Sequence, residues 1–423
     1  MTANPAVERI TTRCCIVGGG PAGMMAGFLL ARAGVEVVIL EKHADFLRDF
    51  RGDTIHPSTL EVMHELGLLD TFLKRPHQEL RQVGAQVGKF SVTLGDFSRL
   101  PTRCKFLAFM PQWDFLDFLA ESGRQFPSFH VRMETEATEL LEENGRVRGL
   151  RAVTPRGALE VHADLVIAAD GRHSIIREKA GLEVMVLGAP IDVLWMRMSR
   201  KAGSDPKQTL GRVGPGRFFV SLNRGEYWQC GYVIPKGNLD EIRAKGIEHF
   251  RSEVVGIAPF LSDRVGELKD WNDIKLLSVA VDRLRHWYRP GLLCIGDSAH
   301  AMSPVGGVGI NLAIQDAVAA ANILAPELRR GSVSIDRLRK VQERRMFPTR
   351  ATQRLQIVIQ NRILAPTLKR AAPIESLPLL VKIVDRWPAL RGIPARVLGM
   401  GFRPEHVRTL ASQQNAHSAA GGG

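Results

Sequence analysis

A glycine-rich turn near the N-terminus has the residue types and the spacing that bind a phosphate. The turn reads Gly18-Gly19-Gly20-Pro21-Ala22-Gly23. It fits the pattern G-x-G-x-x-G directly after an apolar run at residues 13–18 and at the start of a helix that the sequence predicts over residues 21–33. Glycines here let the backbone approach a pyrophosphate, and the N-terminus of the helix stabilises its charge. The candidate cofactor-binding residues of this turn are therefore Gly18, Gly20, Pro21, Ala22 and Gly23.

An acidic residue stands at the end of the next strand. Residues 35–40 form a second apolar run, and Glu41 follows it, 18 residues after Gly23. In a βαβ unit of this size, an acidic side chain roughly 20 residues after the glycines hydrogen-bonds a ribose hydroxyl and repels a 2′-phosphate. We therefore predict a ligand with an unphosphorylated ADP-ribose, as in FAD or NAD, bound by Glu41 and the adjacent Lys42. The alternative is a glycine turn needed only for packing.

Two later apolar runs also stop at small or acidic residues. Residues 164–171 end in Asp170-Gly171, and residues 292–297 end in Gly296-Asp297. The second run is followed by a turn of small residues at 303–312, which leads into a predicted helix. Three motifs in this order are much more specific than a single glycine pattern.

In these three motifs the sequence resembles the group A flavoprotein monooxygenases, the family of para-hydroxybenzoate hydroxylase, over about residues 13–320. The resemblance implies that the cofactor is FAD, that Asp297 binds its ribityl chain, and that Asp170 and Gly171 help to place FAD and bear on NAD(P)H. Gln112 and Arg51 match family positions that contact the flavin and its phosphates. The third motif adds the candidate cofactor-binding residues Pro304, Gly307, Gly309, Ile310 and Asn311.

The third motif also has a physical logic of its own. If residues 307–312 open the helix that runs through Asp316, the unpaired N–H groups and the positive dipole end of that helix stabilise an anionic reduced flavin. Glycines in the turn permit close contact with a flat ring. An acidic turn that merely caps the helix is the alternative for Asp297.

The nicotinamide co-substrate, NADH or NADPH, has no nucleotide-binding domain of its own, because the sequence contains no second G-x-G-x-x-G. The family resemblance implies that it binds transiently across a groove. His43, Arg48 and Arg51 could meet its phosphates, although each is equally well explained as a surface charge or as a partner of a neighbouring aspartate.

The resemblance implies a monooxygenase that hydroxylates an aromatic or polycyclic substrate with NAD(P)H and O2 through a flavin C4a-hydroperoxide. Because the reactive group belongs to the cofactor, the protein mainly excludes water and orients the substrate, and no catalytic side chain is assigned. By the same resemblance the substrate lies between the flavin and an inserted sheet. Candidate wall residues, which are alternatively core aromatics, are Trp195, Phe219, Trp228 and Tyr232. His56 and His300 are weak candidates for proton transfer.

We predict an α/β fold: a Rossmann-like FAD-binding domain with an inserted antiparallel-sheet substrate domain and C-terminal helices. The FAD-binding domain takes residues 1–75, 101–185 and 288–345, the substrate domain residues 76–100 and 186–287, and a basic helical segment residues 346–423. Residues 217–223 and 227–234 predict a β-hairpin in the substrate domain. Prolines from Pro348 onward predict several short helices in the last segment.

Other activities share this nucleotide-binding fold. Flavin-dependent halogenases carry W-x-W-x-I-P, which aligns with residues 230–235, where both tryptophans are absent. FAD-dependent reductases and epoxidases differ from monooxygenases in the pocket and not in the nucleotide motifs, so the sequence leaves them open. A non-catalytic binding protein of the Rab GDP-dissociation-inhibitor type is disfavoured because all three FAD motifs are intact.

Positive charge is concentrated towards the C-terminus. The chain has 57 Lys and Arg against 44 Asp and Glu, and from residue 321 onward the counts are 18 against 6. We hypothesise that this segment docks an acidic carrier protein or an anionic membrane surface; a solvated arginine-rich face is the alternative, and no nucleic-acid partner is predicted. The five scattered cysteines lack metal-ligand spacing and predict buried thiols, so we expect a cytoplasmic protein without a metal site.

Overall fold

A computed structural model describes residues 7–47, 54–206 and 210–412 of the chain. These residues form the β-strands β1 (Glu8–Val17), β2 (Val37–Leu40), β3 (Thr54–Ile55), β4 (Gln78–Leu80), β5 (Gln82–Val87), β6 (Phe90–Asp96), β7 (Leu107–Phe109), β8 (Phe129–Arg132), β9 (Glu136–Glu143), β10 (Arg146–Thr154), β11 (Gly157–Ala168), β12 (Val184–Val186), β13 (Ile191–Ser199), β14 (Leu210–Gly214), β15 (Arg217–Asn223), β16 (Tyr227–Pro235), β17 (Ile274–Leu277), β18 (Asp282–Leu284), β19 (Tyr288–Arg289), β20 (Leu292–Cys294) and β21 (His300–Ala301).

The same residues form the α-helices α1 (Pro21–Arg32), α2 (Pro57–Glu65), α3 (Leu69–Phe72), α4 (Gln112–Gly123), α5 (Ile175–Lys179), α6 (Leu239–Ala244), α7 (Ile247–Ile257), α8 (Gly309–Arg329), α9 (Ile335–Ile359), α10 (Ala365–Leu368), α11 (Leu379–Arg386) and α12 (Gly392–Met400). A π-helical turn, Gln360–Leu364, joins α9 to α10. Tight 3₁₀ turns lie at Gly296–Ser298, Val305–Gly307 and Pro388–Arg391.

The nucleotide-binding part of the molecule is built on a mainly parallel sheet in the order β19-β20-β11-β1-β2-β8. β1 pairs in parallel with β2 and with β11, and β11 pairs in parallel with β20. The carboxyl ends of β1, β11 and β20 therefore lie side by side at one edge of the sheet. Each of the three sequence motifs follows one of these strands, so the fold brings the motifs together.

Helices α1 and α8 pack against each other and bury the strands beneath them. The inner residues of β1 and all four residues of β2 are buried, which explains their continuous apolar runs. The segment Val305–Arg329 is long and apolar enough to cross a membrane, with a mean hydropathy of 1.4, but 72% of its apolar stretch is buried inside the fold. Its burial is that of a core helix.

A second sheet has the order β17-β13-β16-β15-β14-β5-β6. Its strands come from two separate parts of the chain, before and after β11. β15 and β16 pair antiparallel, which confirms the predicted hairpin. β14 and β5 pair in parallel and join the two parts of the chain in one sheet.

The C-terminal segment differs from the prediction in its first half. α9 continues through Pro348 as one helix of 25 residues. Pro348 is buried, and Arg345, Thr349 and Gln353 around it are buried as well, so packing against the fold compensates for the hydrogen bond that the proline removes. Beyond the π-helical turn the helices α10, α11 and α12 are short, as predicted.

All five cysteines are free and buried, which confirms that part of the prediction. Within the described residues, no group of His, Cys, Asp and Glu side chains could hold a metal ion.

Candidate functional site

The glycine turn between β1 and α1 is packed tightly at two glycines and open at a third. Gly18 has a φ of +104°, and a Cβ there would lie 2.4 Å from the carbonyl oxygen of Ala169, just after β11. A Cβ on Gly23 would lie 2.0 Å from the carbonyl oxygen of Gly18. In contrast, a Cβ on Gly20 would meet no atom within 4 Å. The fold therefore needs Gly18 and Gly23, whereas Gly20 borders space in which a pyrophosphate fits.

The N-terminus of α1 is available to an anion. The helix begins with Pro21 and Ala22 directly after Gly20, no side chain caps it, and its first turn contains no acidic residue. Its unpaired N–H groups and the positive end of its dipole therefore face the space beside Gly20. This geometry fits the phosphate site that the sequence predicts.

The carboxylate of Glu41 lies across the same turn. Its Oε2 accepts a hydrogen bond from the backbone N–H of Gly19 at 2.9 Å, and its Oε1 accepts one from the N–H of His43 at 3.1 Å. The side chain is largely buried, whereas the adjacent Lys42 is exposed. Glu41 is thus held beside the glycine turn, where a ribose hydroxyl of a bound dinucleotide can reach it.

Asp170 stabilises the start of α5, a structural role that the sequence did not predict. Its carboxylate accepts hydrogen bonds from the hydroxyl of Ser174 at 2.5 Å and from the N–H of Ile176 at 3.3 Å, so it fastens the first turn of α5. Burial raises the pKa of Asp170, and these hydrogen bonds oppose the rise. The next residue, Gly171, has a φ of +86° and no atom within 4 Å of a Cβ position. Gly171 is therefore the part of this motif that offers open space to a ligand.

The third motif packs directly on the first. Gly296 has a φ of +61°, and a Cβ there would lie 3.0 Å from Cβ of Ala22 in α1 and 3.2 Å from Cβ of Ala313 in α8. The next side chain, Asp297, is 32% exposed, and its Oδ2 lies 3.7 Å from Nη2 of Arg172. Asp297 can therefore reach a ligand at this edge of the sheet. Sequence analysis missed Arg172, although its position directly after Gly171 was a usable signal.

The glycines before α8 form a compact turn beside this edge. Gly306 and Gly307 have φ values of +81° and +61°, which side chains rarely adopt. The carbonyl of Pro304 accepts a hydrogen bond from the N–H of Gly307 at 3.0 Å. α8 then starts at Gly309 without a side-chain cap and without an acidic residue in its first turn. Its positive end is therefore available to an anionic ring, as the sequence predicts.

The side chain of Asn311 forms hydrogen bonds with three residues near the start of α2. Its Oδ1 accepts hydrogen bonds from the N–H of His56 at 2.9 Å and from the hydroxyl of Thr59 at 2.7 Å, and its Nδ2 donates to the carbonyl of Thr54 at 3.1 Å. The amide fastens the start of α8 to β3 and α2. Ile310 beside it is buried. The cofactor contact predicted for Asn311 stays a prediction.

The other predicted cofactor contacts are less defined. Gln112 is the first residue of α4 and is half-buried. Arg48 and Arg51 lie outside the described residues. His43 is exposed, with Nε2 4.0 Å from Oε1 of Glu41, so a protonated His43 would pair with Glu41.

His56 is buried beside the glycine turn. Its Nδ1 lies 2.7 Å from the carbonyl oxygen of Leu398 in α12, and a Cβ on Gly307 would lie 3.9 Å from its Nε2. Within the described residues, Nε2 has no hydrogen-bond partner. Burial lowers the pKa of His56 to about 4, against the opposing effect of the carbonyls of Leu398 and Gly307, so the ring is neutral at physiological pH.

His300 belongs to a buried charge cluster. Its Nε2 lies 2.6 Å from Oδ2 of Asp316, while Nε of Arg345 donates to Oδ1 of Asp316 at 2.8 Å. The same Oδ2 accepts a hydrogen bond from the N–H of Gly296 at 3.1 Å. Arg345 also contacts Glu405 near the end of the described chain, at 3.4 Å. The cluster, which we call the Asp316 cluster, therefore holds the turn that carries Asp297.

Three glutamines of the C-terminal segment hold the strand end and turn that precede α8. Gln353 donates to the carbonyl of Ala301, Gln356 donates to the carbonyls of Ser303 and Val305, and Gln360 donates to the Ser303 hydroxyl. All three side chains are buried. We call Gln353, Gln356 and Gln360 the glutamine row. Their i, i+3, i+7 spacing could have indicated a polar buried helix face.

The second sheet has two different faces. One face carries the core with α7, formed by side chains such as Leu194, Met196 and Phe250. The other face carries Val193, Trp195, Phe218 and Val233, and it packs with Val305 of the glycine turn and with Leu364 of the π-helical turn. This second face, which we call the inner face, is the one that faces the third motif.

The four predicted wall residues do not share a face. Trp195 lies on the inner face, half-buried, with its ring 3.0 Å from the Cβ position of Gly231. Phe219, Trp228 and Tyr232 lie in the core with α7, and Trp228 donates its indole N–H to Asp205 at 2.8 Å. These three are part of the domain core on the far side of the sheet, because alternate residues of a strand point to opposite faces.

Comparison with known proteins identifies the family of this chain and several relatives. The model of the FAD binding domain family matches residues 11–355. A 6-methylpretetramide 4-monooxygenase of Streptomyces rimosus is 33% identical over 395 residues, which are 93% of each chain. A rifampicin monooxygenase of Streptomyces venezuelae is 26% identical over 317 residues, which are 71% of this chain and 61% of that protein.

Solved structures show the same fold. A p-nitrophenol 4-monooxygenase of Pseudomonas putida superposes with a TM-score of 0.74 at 18% identity, covering 92% of this chain and 97% of the other. An anhydrotetracycline hydroxylase of Streptomyces rimosus superposes with a TM-score of 0.71 at 19% identity, covering 92% of this chain and 76% of the other.

Proposed function

The chain belongs to the FAD binding domain family of group A flavoprotein hydroxylases, and we propose that it hydroxylates a polycyclic aromatic substrate with NAD(P)H and O2. It is an FAD-dependent oxidoreductase. The observation that carries the proposed substrate class is the inner face of the second sheet. Val193 and Val233 of this face are buried, Trp195 and Phe218 are only partly buried, and the face packs against Val305 in the glycine turn before α8.

FAD supplies the oxygen-activating chemistry when it is bound. Gly20 and the N-terminus of α1 would hold its pyrophosphate, Glu41 would bind its ribose, and Asp297 would bind its ribityl chain. The uncapped N-terminus of α8 would stabilise negative charge on the reduced ring. The inner face excludes water from the reacting edge and orients the substrate.

The inner face has the breadth and polarity of a wall for a flat, fused-ring substrate. Trp195 of β13 and Phe218, Val220 and Leu222 of β15 are apolar and half-buried on the two strands that flank β16. A polar end is formed by Gln229, whose Oε1 accepts a hydrogen bond from Nε of Arg224 at 3.0 Å. An apolar wall with one polar end favours a polycyclic phenol over a small polar ring. The relative from Streptomyces rimosus acts on 6-methylpretetramide, which we therefore propose as the first compound to test.

Several finer properties are part of the proposal. The buried free thiols suit a reducing compartment, so we propose a cytoplasmic enzyme. The basic C-terminal segment favours an anionic docking partner, either an acidic carrier protein or a membrane surface. NADH and NADPH are both retained as co-substrates. Halogenation, reduction and epoxidation are not favoured by the monooxygenase and hydroxylase relatives.

The test is an oxygen-incorporation assay on the purified FAD-bound protein. We expect oxidised-flavin absorption, NAD(P)H oxidation stimulated by 6-methylpretetramide or another polycyclic phenol, and one atom of ¹⁸O from ¹⁸O₂ in the product. Oxidation of NAD(P)H that yields a reduced or halogenated product without ¹⁸O would contradict the proposal. Comparing the hydroxylation rates of polycyclic phenols with that of p-nitrophenol shows whether the enzyme prefers polycyclic or single-ring substrates.

Trp195→Leu and Trp228→Leu form a matched pair on opposite faces of adjacent strands. We expect Trp195→Leu to lower kcat/KM by roughly 10–100-fold, since loss of a substrate contact of ~1–3 kcal/mol has this effect. Trp228→Leu should lower the melting temperature, because it removes a buried ring and its bond to Asp205, but leave kcat/KM of the folded enzyme unchanged. Steady-state kinetics and thermal unfolding measure both. A larger kinetic effect of Trp228→Leu would place the substrate on the other face.

A further inference from the structure

The outward face of α11 carries both apolar and basic side chains. The exposed fractions are 72% for Leu379, 38% for Ile383 and 64% for Trp387, which immediately follows the helix, and 62% for Ile393 at the start of α12. Leu379, Ile383 and Trp387 follow one another at intervals of four residues, so they occupy successive turns of one face. We call these four residues with Lys382, Arg386 and Arg396 the outer patch.

The opposite face of α11 makes the contacts with the fold. Val381, Val384 and Asp385 are half-buried, and Asp385 accepts a hydrogen bond from the N–H of Thr93 in β6 at 3.0 Å. The Asp385 carboxylate also lies 3.5 Å from Nη2 of Arg391. The apolar residues of the outer patch are therefore not needed to attach the helix, and the one acidic residue of α11 is turned inward. What remains outside is apolar surface with positive charge.

We propose that the outer patch binds the surface of an anionic lipid bilayer. Lys382, Arg386 and Arg396 are all exposed, and the patch contains no acidic side chain, so its charge complements anionic headgroups. Leucine, isoleucine and tryptophan side chains between basic residues are typical of helices that lie in a membrane interface. An acidic carrier protein would be recognised by the same charges, but exposed leucine, isoleucine and tryptophan side chains between the basic residues suit insertion between lipids better than a purely ionic contact with a protein.

The position of the outer patch connects it with the site. α12 follows α11 through the turn Pro388–Arg391, and Leu398 of α12 reaches the glycine turn, where it lies 2.8 Å from the Cβ position of Gly306. The carbonyl of Leu398 is also the partner of His56. Through α12 the outer patch is therefore connected with the glycine turn before α8. A lipid-bound enzyme would meet lipophilic substrates from this side, and this consequence rests on the proposed function whereas the binding itself does not.

Vesicle co-sedimentation of the FAD-bound protein tests the proposal. We expect binding to vesicles of phosphatidylcholine with phosphatidylglycerol, weak binding to phosphatidylcholine alone, and loss of binding at high salt. Lys382→Glu with Arg386→Glu should weaken the partition coefficient by about tenfold or more. Leu379→Ser with Trp387→Ser should weaken it as well and should abolish the vesicle-induced blue shift of tryptophan emission that we expect of the wild type.

Matched controls come from exposed positions elsewhere. Val186→Ser and Arg156→Glu replace one exposed apolar and one exposed basic residue outside the outer patch and should leave vesicle binding unchanged. All variants should retain FAD, which shows that they are folded. Equal binding of wild type and patch variants would overturn the proposal. Retention on an acidic carrier protein without vesicle binding, or a dimer that the patch substitutions dissociate, would also overturn it. Vesicle binding without hydroxylase activity would leave it intact and refute only the proposed function.

Discussion

Alanine at Gly20 should weaken FAD binding by at least about tenfold and leave the apoprotein as stable as the wild type. Gly20 has ordinary extended backbone angles, and an alanine Cβ there would meet no protein atom within 4 Å. The methyl group would instead occupy the space that the pyrophosphate needs. Titration of the apoprotein with FAD measures the affinity, and chemical denaturation of the apoprotein should show a change of less than ~1 kcal/mol.

Two further glycines complete this experiment. Gly23→Ala should destabilise the fold itself, since its Cβ would lie 2.0 Å from a backbone oxygen that cannot move independently. Gly266→Ala is the neutral control, because its Cβ also meets no atom within 4 Å and its backbone is not left-handed. If Gly20→Ala binds FAD as tightly as Gly266→Ala does, the pyrophosphate does not lie over this turn.

The second large effect is expected at Asp316. Asp316→Asn should lower the free energy of unfolding by roughly 3–5 kcal/mol, since it leaves the buried Arg345 without its main counter-charge. It should also weaken FAD binding, because Asp316 holds the N–H of Gly296 next to Asp297. Arg344→Gln is a suitable control: among the described residues Arg344 pairs with Glu405 alone, and it is 28% exposed, so its loss should cost less than the loss of the fully buried Asp316.

Asp316 also determines part of the pH dependence of stability. Burial alone would raise the pKa of Asp316, but His300 and Arg345 more than reverse this and lower it below its usual value. In the unfolded chain the carboxyl group takes up its proton at a higher pH than in the folded protein. Its stabilisation is therefore complete above the unfolded pKa of ~4 and is lost as the pH falls through the lower folded pKa. Denaturation from pH 7 to pH 3 should show a smaller loss of stability in Asp316→Asn than in the wild type.

Local patterns were sufficient to predict the nucleotide motifs and the hairpin. Gly18 to Gly23, Glu41 and the strand before Asp297 depend on neighbours close in sequence, so spacing alone located them. The face on which Phe219 and Trp228 lie could not be predicted in this way. Alternation shows that the side chains of a strand point to two sides, but only the packing of α7 on one side and of Val305 on the other decides which side faces the site.

Long-range contacts account for the other differences. Pro348 was expected to end a helix, yet the buried surroundings of α9 keep the helix continuous. The hydrogen bonds of the Asn311 amide to Thr54, His56 and Thr59, more than 250 residues earlier in the chain, were not foreseen, while its cofactor contact stays a prediction. Such partners come close only after folding, so the local pattern of a single sequence does not predict these contacts.

The glutamine row has a consequence for the order in which the molecule is completed during synthesis. The turn before α8 precedes Gln353 and Gln360 by about fifty residues, and its backbone carbonyls and hydroxyl are bound by those side chains. On the ribosome, the strands β1, β2 and β11 emerge well before α9 does. The nascent chain can therefore pair its central strands early, but the turn before α8 has its partners only after residue 360 has left the exit tunnel. The turn before α8 is therefore fixed only after the central strands and α9 have both been synthesised.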